Sequence, residues 1–261
     1  MYKFFGLPPR PAQQIGLRTV ALWVMTERYN LEYHIANCCD EEERAILTES
    51  FKRMNDWVAR SGIIHLLTPT ELRLYQKPFG SWSEEDLSEV ACWYDAFEVM
   101  LWAIGKIDFV PVSDAPGSEE DFEELWYEML DPAQFSANLS LRLVNVLNRE
   151  YAHAACLSIH GVVEVRYLSS AIGFDDYIRQ VGIITEEYRE MRLAGSQFRC
   201  GENLLEQPFA GCDLDEVALL TESALVRFYA LGWVLNQTAY WDLNGAFSED
   251  SLSSCPPLSM N

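Results

Sequence analysis

SEEDLSEVACWYDAFEVMLWAIG, residues 83 to 105, decides the fold class. Leu87, Val90, Tyr94, Phe97, Leu101 and Ile104 recur at intervals of three and four, the period of a helix with one buried face. Ser83 followed by Glu84, Glu85 and Asp86 marks a helix start: a serine hydroxyl accepts an orphan amide, and acids complement the positive end of the helix dipole. Gly105 marks its end. The stretch predicts one helix over 83–105. It also carries two carboxylates, Asp95 and Glu98, three residues apart and therefore on one helix face.

The same period runs outward in both directions. Pro11 opens a helix whose apolar stripe is Ile15, Val20, Leu22, Trp23, Thr26 and Tyr29. Asp40-Glu41-Glu42-Glu43 starts a second, with Ile46 or Leu47, Phe51, Met54 and Val58 as its stripe and Gly62 as its stop. Thr68-Pro69-Thr70-Glu71 starts a short third. Beyond 105 comes a loop with Pro111, Pro116 and Gly117, then a helix over 119–130. Another opens at Asp131-Pro132 and is expected to run to about His160. Residues 161–168 (GVVEVRYL) read as strand or helix, because short Val-rich runs do not separate the two. Residues 174–193 and 214–236 are helical; 196–213 is irregular. The reading is a single all-α, multi-helix, bundle-like domain over 1–245, with at most minor β structure. Residues 112–213 are a candidate insertion, and 246–261 form a polar tail expected to be mobile.

Composition narrows the class. A chain of 261 residues can bury roughly 70–75% of its unfolded surface, enough for a core without disulfide or metal staples. Its seven cysteines fall at 38, 39, 92, 156, 200, 212 and 255, an odd number at irregular spacing. That fits a reducing compartment better than a secreted disulfide scaffold. MYKFFGLPPRP has no apolar core of the kind a signal peptide needs. The apolar runs are broken by charge before 18 residues, so no membrane span is expected. A cytoplasmic protein is the expectation.

The net charge is −21, and it is localised. Between Lys77 and Arg142 stand fifteen acids and a single base, Lys106. Nucleic-acid binding is disfavoured, since phosphate neutralisation needs clustered Lys and Arg. A basic partner would be steered towards this region.

Two stretches resemble a known family. Trp93 through Gly105, continued by Ile107-Asp108 and Val110-Pro111, is the first. Arg227-Phe228-Tyr229-Ala230-Leu231-Gly232-Trp233, continued by Tyr240-Trp241-Asp242, is the second. They are similar to the two hallmark blocks of the domain-of-unknown-function family 4272, and the helix around Arg18 resembles its opening block. Asp95-Ala96 stands where the family usually has Glu-Ala, and Gly232 where Asn is common. The resemblance covers most of 10–110 and 214–245. It implies an all-helical bacterial cytoplasmic protein and implies no activity.

Asp95 and Glu98 would serve as acid and base or as metal ligands, but an ion pair to an arginine on another helix, with the second carboxyl reaching solvent, is the preferred reading. Arg18 and Arg227 are the natural partners. Glu150 and His153 form one Glu-x-x-His unit, with His160 seven residues on; a di-iron bundle needs two such units. Glu32 and His34 point to different faces, and His65 stands alone. Cys38-Cys39 reads as two small residues at a helix end. There is no His-Glu-x-x-His, Cys-x-x-Cys, phosphate loop or Gly-x-Ser-x-Gly. No catalytic residue, metal or cofactor is expected.

The leading expectation is a non-catalytic protein whose acidic face binds a basic protein. Glu84, Glu85, Asp86, Glu89, Glu119, Glu120, Asp121, Glu123 and Glu124 would supply charge, and Phe122 and Trp126 anchor the contact. An immunity- or antitoxin-like inhibitor of a cationic toxin is its most concrete form. The alternative is an enzyme or ligand-binding protein with an inter-helix pocket lined by Arg18, Asp95, Glu98, Arg227 and Trp233. A scaffold that self-associates is the third, and the oligomeric state stays open.

Overall fold

The computed structural model describes residues 8–108, 125–193, 209, 211–238 and 241. Among the described residues there is no strand, and the protein is all-α. Its helices are α1 (Ala12–Asn37), α2 (Glu41–Ser61), α3 (Pro69–Tyr75), α4 (Glu84–Ala91), α5 (Trp93–Ala103), α6 (Pro132–Ala137), α7 (Val144–Leu168), α8 (Phe174–Leu193) and α9 (Leu214–Val234). A 3-10 turn spans Ile63–Leu66, and residues 125–129 are also helical. The tail 246–261 lies outside the described residues. Two compact units divide the chain: Met1–Val20 with Asp95–Ala239, and Ala21–Tyr94 with Tyr240–Asn261.

In the unit built on 21–94 the capping signals act as the sequence implies. The Asp40 carboxylate accepts from the Glu42 amide, and Gly62 ends α2 at φ +75°, a conformation that favours glycine. Thr68 and Glu71 close a capping box with Pro69 in the first turn. Ser83 and Asp86 close another. Leu22, Met25, Val58, Ile63, Leu74, Val90 and Trp93 are buried. Trp23 meets Trp57 edge-on at 5.3 Å. Ile46 is 58% exposed, so of the two residues expected to start the α2 stripe it is Leu47 that lies partly buried.

Arg28 is wholly buried here. Its guanidinium lies 4.1 Å from the Phe51 ring centre and within 5.6 Å of those of Phe79 and Trp82. It pairs with Glu32 at 2.5 Å and donates to the Lys77 and Pro78 carbonyls at 3.0 and 3.2 Å. Glu32 in turn accepts from the amides of Gly80 and Trp82. One turn of α1 thereby fixes the loop between α3 and α4.

In the other unit α7 packs against α9 and α8. Gly161 of α7 faces Thr221 of α9 so closely that a Cβ on Gly161 would lie 2.0 Å from the threonine hydroxyl and 2.8 Å from its Cβ. Cys156, Val163 and Ile184 form a buried cluster with Leu157, Tyr177 and Val181 around it. By length and composition α9 is apolar enough to cross a membrane, yet 61% of its most apolar window is buried in the protein, where it serves as a core helix.

Three expectations about boundaries change. The helix over 83–105 divides at Cys92, which caps α4 before α5 begins. The helix expected over 131–160 stops at Ala137 and resumes at Val144. The reason is Arg142. Its amide donates to the Ala103 carbonyl, and its side chain to those of Trp102 and Ile107, both at 2.7 Å. The Trp102 and Ala103 carbonyls lie in the last turn of α5, where helical partners run out. The non-helical residues 138–143 bring Arg142 to them. The ambiguous stretch 161–168 is helical and completes α7.

Candidate functional site

Asp95, in the first turn of α5, faces α9. Its Oδ1 accepts from Arg227 Nε at 2.8 Å, Arg227 Nη2 at 2.6 Å and Ser223 Oγ at 2.7 Å. Ser223 and Arg227 are one helical turn apart and share a face. The Asp95 and Arg227 side chains are 14% and 8% exposed, so the pair is largely dry. The ion pair expected for one of the two carboxylates is therefore present. No motif marks Ser223; its i,i+4 relation to Arg227 is the signal the sequence offers for it.

Glu98 differs from expectation. It does not reach solvent; it is buried at 9% exposure. Burial is the main cause that pushes its carboxyl up to about 8, the Asp95 charge adds to that, and Arg227 partly opposes it. Helix position explains the burial: from Ala96 to Ile104 every residue of this stretch is buried, so α5 has no solvent face there for an acid to use. At neutral pH Glu98 is a neutral acid beside the Asp95–Arg227 pair.

Arg18 is buried on α1 and Trp233 on α9. Trp233 lies under the Arg10 guanidinium, 4.4 Å from the ring centre. Arg10 also donates to the Trp233 and Thr238 carbonyls at 2.8 and 2.7 Å, and its amide donates to Val234. These contacts fasten the segment before α1 to the end of α9.

The acidic residues part company. Glu84 and Glu85 are exposed in the first turn of α4. Asp86, expected on the same acidic face, is turned inward. It is buried, accepts from the Ser83 amide and hydroxyl at 2.9 Å, and pairs with Lys77 at 2.6 Å. Burial pushes its carboxyl up, but Lys77 and Ser83 outweigh that and lower it. Its charge is spent inside the fold. Glu89 is 24% exposed and lies 3.7 Å from Arg73. Trp126 is half-buried beside the buried Leu125. Glu119, Glu120, Asp121, Phe122, Glu123 and Glu124 lie outside the described residues. Lys106, the one base of the acid-rich quarter, pairs with Glu128.

The histidines form no metal centre among the described residues, where no group of three or more His, Cys, Asp or Glu side chains could hold an ion. Glu150 and His153 are both buried, with Oε2 and Nδ1 3.5 Å apart. His160 packs edge-on to Phe209 at 5.2 Å, and burial lowers it to about 4, so it is neutral at physiological pH.

A cavity of about 300 Å³ opens elsewhere, among Lys106, Glu128, Asp131, Gln134, Phe135 and Asn138, with Tyr127 completing the lining. None of these is among the residues expected to line an inter-helix pocket.

A family model described as a domain of unknown function, DUF4272, matches residues 7–167. The chain belongs to the DUF4272 family. The DUF4272 match takes in Arg18, Asp95 and Glu98 and runs on through 112–167. It ends before Ser223, Arg227 and Trp233, so the second block of the resemblance lies beyond it. In this DUF4272 protein the matched part supplies the carboxylate of the buried pair and the unmatched part supplies the guanidinium. No curated protein and no solved structure matches the chain.

Proposed function

We infer that this protein is a non-catalytic, cytoplasmic interaction protein that binds a basic protein, in the manner of a bacterial immunity or antitoxin protein against a cationic toxin. One observation carries the reading. The quarter of the chain with fifteen acids has a single base, and that base is already engaged by Glu128. Lys77, Arg73 and Arg227 from outside that quarter answer Asp86, Glu89 and Asp95, but its acids still outnumber all these bases, and such an excess costs stability through self-repulsion and favours a cationic partner. Exposed Glu84 and Glu85 fit a surface role, as do Asp108 and Asp131. The Asp95–Arg227 pair fits a structural role: both partners are consumed by each other and by Ser223. Binding would occlude the partner sterically and electrostatically, with no turnover, and charge would chiefly raise the association rate.

The test begins with affinity capture from the host's lysate at low and high salt, followed by titration of the purified partner. Two variants are compared with the parent protein. One carries Glu84→Gln and Glu85→Gln; the other neutralises Glu119, Glu120, Asp121, Glu123 and Glu124. The expected result is a basic partner whose affinity falls with salt and falls again in at least one variant. A partner whose binding both variants leave unchanged would refute the acidic-face reading.

A further inference from the structure

The cavity beside Lys106 has a composition that selects its ligand. Its volume of about 300 Å³ is at the lower end of the roughly 300–1,000 Å³ that small-molecule sites occupy. That suits one side chain or a small amine rather than a nucleotide-sized cofactor. Two carboxylates, Glu128 and Asp131, stand against one ammonium, Lys106. The carboxamides of Gln134 and Asn138 add acceptors, and the rings of Phe135 and Tyr127 add π faces.

A cation already sits among these groups. Lys106 Nζ pairs with Glu128 and lies 5.4 Å from the centre of the Phe135 ring. A carboxylate plus an aromatic face is the environment that binds ammonium and guanidinium groups. Asp131 is not exhausted either. Its Oδ1 accepts from the Gln134 amide at 3.0 Å, and an ionised carboxylate has about four acceptor sites. An anion has less to meet here. Asp131 already caps α6, and the one ammonium is engaged.

We propose that this cleft seats the side chain of an arginine or lysine from the basic partner, displacing the Lys106 ammonium from Glu128. The proposal rests on the interaction reading given above and deepens it. Lys106 acts as an internal placeholder. It neutralises Glu128 in the free protein and yields to a planar guanidinium, which can bond a carboxylate in two places at once.

N-acetyl-argininamide is the probe, with the corresponding glutamine and glutamate amides as neutral and anionic controls. Binding is read from the side-chain amide signals of Gln134 and Asn138 by NMR. The arginine probe is expected to shift these signals saturably. Lys106→Met, which keeps the alkyl chain and removes the competitor, should tighten it about five-fold, the worth of one exposed ion pair. Glu128→Gln should weaken it by a similar factor. Both side chains are partly exposed, so neither variant threatens the fold. The proposal is overturned if the arginine probe gives no saturable shift in Lys106→Met. It is equally overturned if the glutamate probe binds and Lys106→Met abolishes that binding. Arginine binding in the cleft, with partner capture indifferent to the acidic variants, would sink the acidic-face reading alone; the reverse pattern would sink the cleft alone.

Discussion

Glu98→Gln should stabilise the protein, and more so as pH rises. The carboxyl has an ordinary value of 4.5 and is pushed up to about 8 in the fold. Below pH 4.5 it is protonated in folded and unfolded chains alike and contributes nothing. Between 4.5 and about 8 the unfolded chain gives up the proton while the folded chain keeps it. The folded state then binds more protons, so stability falls as pH rises. Above pH 8 the loss is complete and stays constant. At ~1.4 kcal/mol for each tenfold change, the full cost is about 5 kcal/mol, and glutamine never incurs it. Urea unfolding of both proteins at half-unit steps from pH 5 to 8.5 measures the difference directly. Contributions of the many surface acids are common to both proteins and cancel. The expected difference grows from about 1 kcal/mol at pH 5 to several kcal/mol at pH 8.5 in favour of the variant. Parallel curves across that range would refute the reasoning, because they would show that Glu98 ionises as readily in the fold as outside it.

Four further outcomes are expected. Asp95→Ala leaves Arg227 buried without its carboxylate and should cost about 3–5 kcal/mol in chemical denaturation. Asp95→Asn should lower the pH at which Glu98 ionises, since one neighbouring charge is gone, and a double-mutant cycle with Glu98→Gln should then show coupling above about 0.5 kcal/mol. Gly161→Ala forces a methyl into Thr221 and should destabilise by about 1–3 kcal/mol, with partial rescue by Thr221→Ala; no loss in melting temperature would mean that α7 and α9 separate freely there. Arg28→Met removes the partner of buried Glu32 and should cost about 3–5 kcal/mol, measured by thermal unfolding at pH 7.

Helical class and the caps at Asp40, Thr68, Ser83 and Gly62 could be read from sequence because each rests on a local rule of spacing or conformation. The break at Cys92 could not, because neither glycine nor proline marks it. Nor could the break before Val144. It exists because α5, some forty residues earlier, needs donors at its end, and Arg142 provides them. The same division holds at the site. An arginine partner for Asp95 was foreseeable from buried carboxylates needing countercharge. That Glu98 would be the neutral member was not, since burial all round α5 is a tertiary property. The burial of Asp86 is hidden in the sequence for a related reason. In sequence the residue is one acid among several, and only the fold brings Lys77 to it.

The loop held by Arg28 and Glu32 has a dynamic signature of its own. Loop amides ordinarily exchange with solvent within seconds to minutes, because nothing but water competes for them. Those of Gly80 and Trp82 instead donate to a carboxylate that is 2% exposed. Their protons can leave only when this unit opens around α1. In deuterium exchange they should behave like the interior of a helix. The two slow protons of Gly80 and Trp82 would thus give a residue-level clock for the opening of the whole 21–94 core.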